Sequence, residues 1–358
     1  MNSAPLLIIK TGALGDVLRT TSILPGLRKR FPDRPIEWLT ATAAEDLVRT
    51  NPHIDRVHRI DPKDESEVER CLAEWGDRDF SWILSFDDEE PLCRLASSLR
   101  TETLSGAYLD GEGQRVYSED VAPWFEMGLL STLGKDRADE KKIANRRTHP
   151  EIFAEMLGIE AGEPQLLLPQ EATQFAERFA ARWSLGSRLL VGLNTGAGGR
   201  WHSKQLPVER TVELACRLAG ERADGLDFLV LGGPAESERS AAILAGLART
   251  EEGESGLLRG IDAGVDNSLL EFAALVSFTD LVISSDSLAM HVAIAQRVPV
   301  VCFFAPTSAA EIELYGRGAK VASTSPDACT YRADVDTSTL TTDRLAEAAR
   351  PWLPVRAS

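Results

Sequence analysis

Paired cysteines are missing from this chain. The five present, Cys71, Cys93, Cys216, Cys302 and Cys329, are odd in number, lie far apart and form no CxxC pair. That excludes a disulfide framework and suits buried thiols in a reducing cytoplasm. The five histidines, His53, His58, His149, His202 and His291, form no HxxxH pair, so no dedicated metal cage is expected. No apolar run approaches the roughly 20 residues that span a bilayer. The N-terminus lacks the basic and long apolar regions of a secretory signal. Neither GxxxxGK[ST] nor GxGxxG after a strand is present, so no standard phosphate loop can be read off. Positive charge is scarce: 39 Lys and Arg face 55 Asp and Glu, a net charge of −16. A general nucleic-acid binder would carry a basic surface, and wholesale adsorption to anionic lipid is disfavoured for the same reason.

What is there reads as a two-domain α/β protein. A chain of 358 residues exceeds one ordinary core. The first half alternates strand and helix signals. Pro5 to Ile9 is a short buried strand, and Val17 to about Leu27 has helical spacing. Strands follow at Ile36–Thr40, Arg56–Ile60, Phe80–Phe86 and Thr103–Tyr108. Helices are expected near Ala43–Arg49, Glu65–Trp75, Glu89–Leu99 and Trp124–Leu133. Such alternation predicts a parallel sheet with helices on both faces. The polar stretch Lys135–Thr148 carries the one conspicuous basic cluster, Lys141, Lys142, Arg146 and Arg147. It reads as a solvated helix or loop; the alternative is a landing site for an anionic acceptor. After a helix at His149–Leu157, Gly158–Pro169 has connector composition.

The second half repeats the pattern. Helices are expected at Glu171–Trp183, Pro207–Glu221, Ser237–Arg249, Ser268–Val276, Asp286–Gln296 and Thr342–Trp352. Strands are expected at Arg188–Asn194, Phe228–Leu231, Asp280–Ser284 and Pro299–Phe304. Domains are therefore placed at 1–165 and 166–340, with 341–358 a closing helix that packs back on the first domain. Two doubly wound halves would leave a cleft, a common home for small-molecule sites.

Three stretches carry candidate chemistry. Between the first strand and helix lies Lys10-Thr11-Gly12-Ala13-Leu14-Gly15-Asp16-Val17. Asp16 reads either as a helix N-cap or as a carboxylate at the carboxyl end of a strand, where α/β sheets hold ligands. The glycine-rich Thr195–Gly199, followed by Lys204, could offer amides and an ammonium to phosphate. Alone, that loop could equally be a flexible connector. Asp286 again reads as an N-cap, and His291 as a packed histidine.

Taken together, these segments resemble glycosyltransferase family 9, the heptosyltransferase family of bacterial lipopolysaccharide synthesis. The opening segment looks like the family's K-T-x-x-x-G-D-V signature. Lys204-Gln205-Leu206-Pro207 is similar to its K-x-W-P element, and Gly232-Gly233-Pro234-Ala235-Glu236 to its second-domain loop. Asp286–His291, with Ala305-Pro306-Thr307, is similar to its D-[ST]-G-x-x-H and G-P-T elements. The resemblance implies a GT-B fold, two Rossmann-like domains facing across a cleft. It implies an inverting, metal-independent transfer of a sugar, most typically heptose from ADP-heptose. The acceptor would be a hydroxyl of a lipopolysaccharide-core or related bacterial glycan or glycolipid. No cofactor is implied beyond that nucleotide-sugar substrate. On this reading Asp16 is the general base, and Lys10, Gly12, Gly15 and Arg19 bind acceptor. Thr195, Gly196 and Lys204 meet the diphosphate, Glu236 holds the ribose, and Asp286, Ser287 and His291 line the diphosphate and sugar. Localisation would be cytoplasmic, or at the inner face of the inner membrane with peripheral contact only. Three positions depart from the family: Leu288 stands for a glycine, Leu206 for the tryptophan and Ala305 for a glycine. A GT-B nucleotide-sugar epimerase, and a catalytically silent nucleotide-sugar binder, are the competing readings.

Overall fold

Four consecutive residues, Leu6–Ile9, are wholly buried, as expected for a central parallel strand covered on both faces. In the computed structural model, which describes residues 4–198 and 201–354, this strand (β1) is the middle of a six-stranded sheet. The chain divides into two units, residues 1–167 and 168–358.

In the first unit the other strands are β2 (Ile36–Ala41), β3 (Arg56–Ile60), β5 (Trp82–Ser85), β7 (Leu104–Leu109) and β8 (Arg115–Tyr117). Two-residue strands β4 (Asp79–Phe80) and β6 (Arg100–Thr101) pair separately. The sheet order is β3-β2-β1-β5-β7-β8, parallel except for the antiparallel β8. Winding thus runs outward from β1 in one direction and from β5 in the other. One face is covered by the helices Glu65–Trp75 and Glu90–Ser98, which bury Val68, Cys71, Trp75, Leu92 and Leu95 against Leu7, Ile9 and Ile83.

The second unit repeats this plan with β9 (Leu189–Asn194), β10 (Leu226–Val230), β11 (Leu258–Asp262), β12 (Leu281–Ser285), β13 (Val300–Phe304) and β14 (Gly318–Ala322). Its order is β11-β10-β9-β12-β13-β14, parallel throughout. That is the dinucleotide-fold order, with the reversal between β9 and β12.

Several expected elements are redrawn. The helix expected over Val17–Leu27 is two, Leu14–Thr20 and Leu24–Arg30, joined by a 3₁₀ turn. Pro25 lacks an N–H and its ring clashes with the carbonyl four residues back, so a continuous helix cannot pass. Ala43–Arg49 is a 3₁₀ turn over Thr42–Leu47. Trp124–Leu133 keeps only Ala122–Phe125 as helix, and Leu129, Leu130 and Leu133 are exposed. Strands β8, β11 and β14 were not expected. Each has charged residues or glycine in a short run, and each lies at a sheet edge where one covered face suffices. The basic cluster is largely neutralised: Lys141 pairs with Glu126, the buried Lys142 with Asp139, and Arg147 with Glu155.

The closing helix, Thr342–Ala349, lies within the second unit. Leu345, Ala346 and Ala349 are fully buried in the core formed with Leu214, Leu218, Val301 and Val321. The connector does pack locally: the Gly162 amide donates to Ser22 O (3.0 Å) and the Gln165 amide to Thr21 Oγ1 (3.0 Å). All five cysteines are free thiols.

Gly106 shows how tightly the first sheet is built. It sits opposite Ser85 with φ of +126°, and a Cβ there would lie 1.9 Å from the Ser85 carbonyl oxygen. Gly106→Ala should therefore destabilise the fold by about 2 kcal/mol or more, read as a lower midpoint in urea unfolding. A midpoint within error of the parent would contradict this register.

Candidate functional site

A parallel sheet that reverses its winding opens a crevice at the carboxyl ends of the two strands flanking the reversal. In the first unit these strands are β1 and β5. Lys10 and Thr11 leave β1, and Asp87 follows β5. The Asp87 carboxylate accepts hydrogen bonds from the Lys10 ammonium, the Thr11 amide and the Thr11 hydroxyl, the last at 2.8 Å. Lys10 also donates to the Gly12 carbonyl. Burial alone would depress the Lys10 amine, but Asp87, and behind it Asp16, hold it above its ordinary value. Lys10 is thus a clamp on the first turn rather than a free cation facing outward. Sequence reasoning missed Asp87; its position after the strand beside β1 was the available signal.

Asp16 is not the N-cap. The helix begins at Leu14 with Ala13 as its N-cap, and Asp16 is its third residue. Its side chain is 39% exposed and lies 3.0 Å from the Arg19 guanidinium. Arg19 in turn stacks over Trp124 at 5.0 Å, an arrangement that holds a cation on an aromatic face. Gly12 has open space around its would-be Cβ, and Gly15 is half-buried within the helix. Asp16 and Arg19 are therefore brought together at the carboxyl end of β1.

In the second unit the crevice lies between β9 and β12, and its walls are tied by buried polar side chains. Asn194, the last residue of β9, donates from Nδ2 to Leu231 O (3.1 Å) and accepts from Ser287 Oγ (2.9 Å). Ser285, the last residue of β12, donates to the Gly196 carbonyl. Three loops are thereby fixed to one another, with each buried polar group paired. Neither Asn194 nor Ser285 was singled out from sequence, because an isolated Asn or Ser has no pattern of its own.

Glu236 bridges two of these loops. Its Oε1 accepts from the Gly198 amide (2.6 Å) and its Oε2 from the Gly233 amide (2.9 Å). A Cβ on Gly196 would lie 2.9 Å from Glu236 Cγ, so glycine permits this approach. Thr195 is buried, and its hydroxyl is engaged by Thr211 Oγ1 (3.0 Å) and Arg239 (2.9 Å), turned into the fold. Gly199, expected in this loop, lies outside the described residues.

Lys204 and Asp286 meet across the crevice. The Lys204 ammonium donates to Asp286 Oδ2 (2.9 Å) and to the Asp286 carbonyl (3.1 Å). Asp286 is not a cap either: the helix Leu288–Ala295 takes Ser287 as N-cap. Burial would raise the Asp286 carboxyl, but Lys204, then His291, hold it down at about 2. His291 is buried with Nε2 3.9 Å from Asp286 Oδ1. Lys204, Asp286, Ser287 and His291 thus converge, with Gly196 and Glu236 on the adjoining loop. An ammonium at this edge, beside glycine backbone and a helix start, is the chemistry of an anion-binding site.

Residues 129–338, more than half of the chain, match the family profile of glycosyltransferase family 9 (heptosyltransferase). No curated protein matches significantly. Among solved structures, the chain is similar to a family 9 glycosyl transferase from Veillonella parvula, with 19% identity, 99% and 98% of the two chains covered and a TM-score of 0.74. It is similar to the ADP-heptose lipopolysaccharide heptosyltransferase II of E. coli, with 18% identity, 98% of each chain covered and a TM-score of 0.63. It is also similar to the E. coli heptosyltransferase WaaC solved with ADP-2-deoxy-2-fluoro heptose, with 17% identity, 97% and 99% covered and a TM-score of 0.60. Two Rossmann-like units of this kind are those of the GT-B fold. The chain belongs to glycosyltransferase family 9.

The Asp286 carboxyl gives a pH test. Its folded value of about 2 lies below the ordinary 3.8. The group therefore contributes stability above pH 3.8 that is lost as pH falls through about 2. Asp286→Asn should be less stable than the parent at neutral pH, with the difference shrinking as pH is lowered from 4 towards 2. Urea unfolding across that range checks it; a difference independent of pH would mean the carboxylate charge is irrelevant.

Proposed function

We propose that this enzyme transfers heptose from ADP-heptose to a hydroxyl of a lipopolysaccharide-core or related bacterial glycan, with inversion and without a metal. The observation that carries the reading is the Lys204–Asp286 pair at the β9–β12 reversal, facing the Gly196 loop, in a family 9 chain. The heptosyltransferase solved with a fluorinated ADP-heptose supports the choice of donor.

The acceptor oxygen attacks the anomeric carbon from the face opposite the diphosphate. The bond from that carbon to the diphosphate oxygen breaks, and its electron pair leaves with ADP. The hydroxyl proton passes to Asp16, whose carboxylate is paired with Arg19 and is 39% exposed. Attack on the opposite face inverts the centre, as in inverting glycosidases. Negative charge grows on the leaving diphosphate, and Lys204 stabilises it there. Asp286 and His291 then face sugar hydroxyls. Glu236 already accepts two amides, and a carboxylate has about four lone-pair sites, so it retains capacity for ribose hydroxyls. The first unit takes the acceptor, with Arg19 beside the base. Among the described residues no helix is long and apolar enough to cross a membrane, and a glycolipid acceptor would be met by peripheral contact at the inner face of the inner membrane.

Asp16→Asn should leave donor affinity and thermal stability close to the parent's while turnover falls by about 10²–10⁴-fold. Because Ala13 holds the cap position, no capping loss enters the comparison. A melting curve, an ADP titration and an initial rate decide it; near-parental turnover would remove Asp16 as base. Lys204→Ala should weaken ADP binding strongly and adenosine binding little, measured by calorimetry. Equal losses for both ligands would take Lys204 away from the diphosphate.

A further inference from the structure

One cation at this edge has no part in the reaction described above. Arg239 is the third residue of the helix Ser237–Ala248, which begins immediately after Glu236. Its Nη2 donates to the Thr195 carbonyl (3.1 Å), to Thr195 Oγ1 (2.9 Å) and to the Leu206 carbonyl. Thr195 opens the glycine loop, and Leu206 stands two residues beyond Lys204. The two segments also touch directly, through the Leu206 amide on Thr195 O (3.0 Å) and Gln205 Nε2 on Gly198 O (3.0 Å). A single guanidinium therefore joins the loop after β9, the turn that carries Lys204, and the loop after β10 that carries Glu236.

These contacts are to carbonyls and a hydroxyl, not to a carboxylate. Glu236 and Glu209 balance the charge only at a distance, and burial pushes the guanidinium below its ordinary value. Hydrogen bonds from a charged donor to buried carbonyls are stronger than neutral ones and fix geometry more firmly. Lys204 needs such fixing. Its long stem has many rotamers, and its useful position depends on the backbone from which it starts.

We propose that Arg239 is the positioning residue of the donor site: it locks the Lys204 turn to the glycine loop, so that ammonium and loop face one nucleoside diphosphate. The proposal rests on the donor-site reading above. It predicts energetic coupling between two side chains that share no contact in the structure. A purely structural arginine would weaken all ligands alike and act independently of Lys204.

The test is a double-mutant cycle on the full chain, with ADP and adenosine as probes and a melting curve for every variant. Arg239→Gln should weaken ADP about tenfold while Lys204 is present, but less than about twofold in the Lys204→Ala background. Adenosine binding should change little in either. Arg239→Lys, which offers cationic donors with a shorter overall reach, should recover part of the ADP loss. It runs through the same cycle, so that a glutamine variant that fails to fold does not decide the matter. Equal ADP losses in both backgrounds, or an equal loss for adenosine, would overturn the proposal. If Lys204→Ala alone leaves ADP binding intact, the donor-site reading fails with it. If Lys204→Ala weakens ADP and the coupling is absent, only the role of Arg239 fails.

Discussion

The reversal of strand order governs where this protein can do chemistry. Elsewhere on a parallel sheet, each crossover helix closes the end of the strand it leaves. At the reversal, successive connections run to opposite sides and the two strand ends stay open. Both units reverse beside their first strand, at β1–β5 and at β9–β12. The gap must still be held at a fixed width, and backbone bonds alone do not reach across it. Polar side chains do so instead: Lys10 and Thr11 to Asp87 in the first unit, Asn194 to Ser287 and Ser285 to Gly196 in the second. Buried groups of this kind are costly unless each finds its partner, and here they do.

The two gaps use charge differently. In the first, the Lys10–Asp87 pair is nearly inaccessible, with side chains 11% and 4% exposed, and it stiffens the turn that presents Asp16. In the second, the Lys204–Asp286 pair is the feature on which the proposed donor site rests. Asp286 keeps the ammonium in place before any ligand arrives, and so spares an anion the entropy of ordering a long side chain. It also cancels much of the positive charge. A singly charged ligand gains little from such a neutral pair, whereas a diphosphate carries enough charge to be favoured by Lys204 and by nearby amides together. On the proposed function, preorganisation and selectivity for a highly charged group would both come from one ion pair.

Most of the fold was legible because its signal is periodic. The strand at Arg56–Ile60 and the helices at Glu65–Trp75 and His149–Leu157 coincide with their apolar spacing. What escaped was set by tertiary context. Strand β14 reads as Gly-Ala-Lys-Val-Ala, and it exists because β13 offers an unpaired edge. The closing helix is amphipathic, but amphipathicity does not say which sheet it covers; Leu345 and Ala346 meet the second. At the site, Asp16, Lys204 and Asp286 stood out through the order and spacing of motifs. Asp87, Asn194 and Arg239 did not, since their importance lies in contacts formed with residues 76, 93 and 44 positions away.

The cap assignments show why spacing alone misjudges an acidic residue near a helix start. An aspartate one or two positions from the first helical residue fits the capping pattern, yet neither Asp16 nor Asp286 fills it. Ala13 and Ser287 hold the cap positions, leaving both carboxylates to other partners. The same geometry bears on Leu288, where the family has glycine. Leu288 is the first residue of an eight-residue helix, a position with ordinary helical dihedrals that imposes no demand for glycine. The amides of the first turn lack intrahelical partners whatever their side chains, so leucine leaves those donors in place. What it changes is bulk beside them. What bulk it adds there would, on the proposed function, move weight for holding a diphosphate onto Lys204 and the glycine loop.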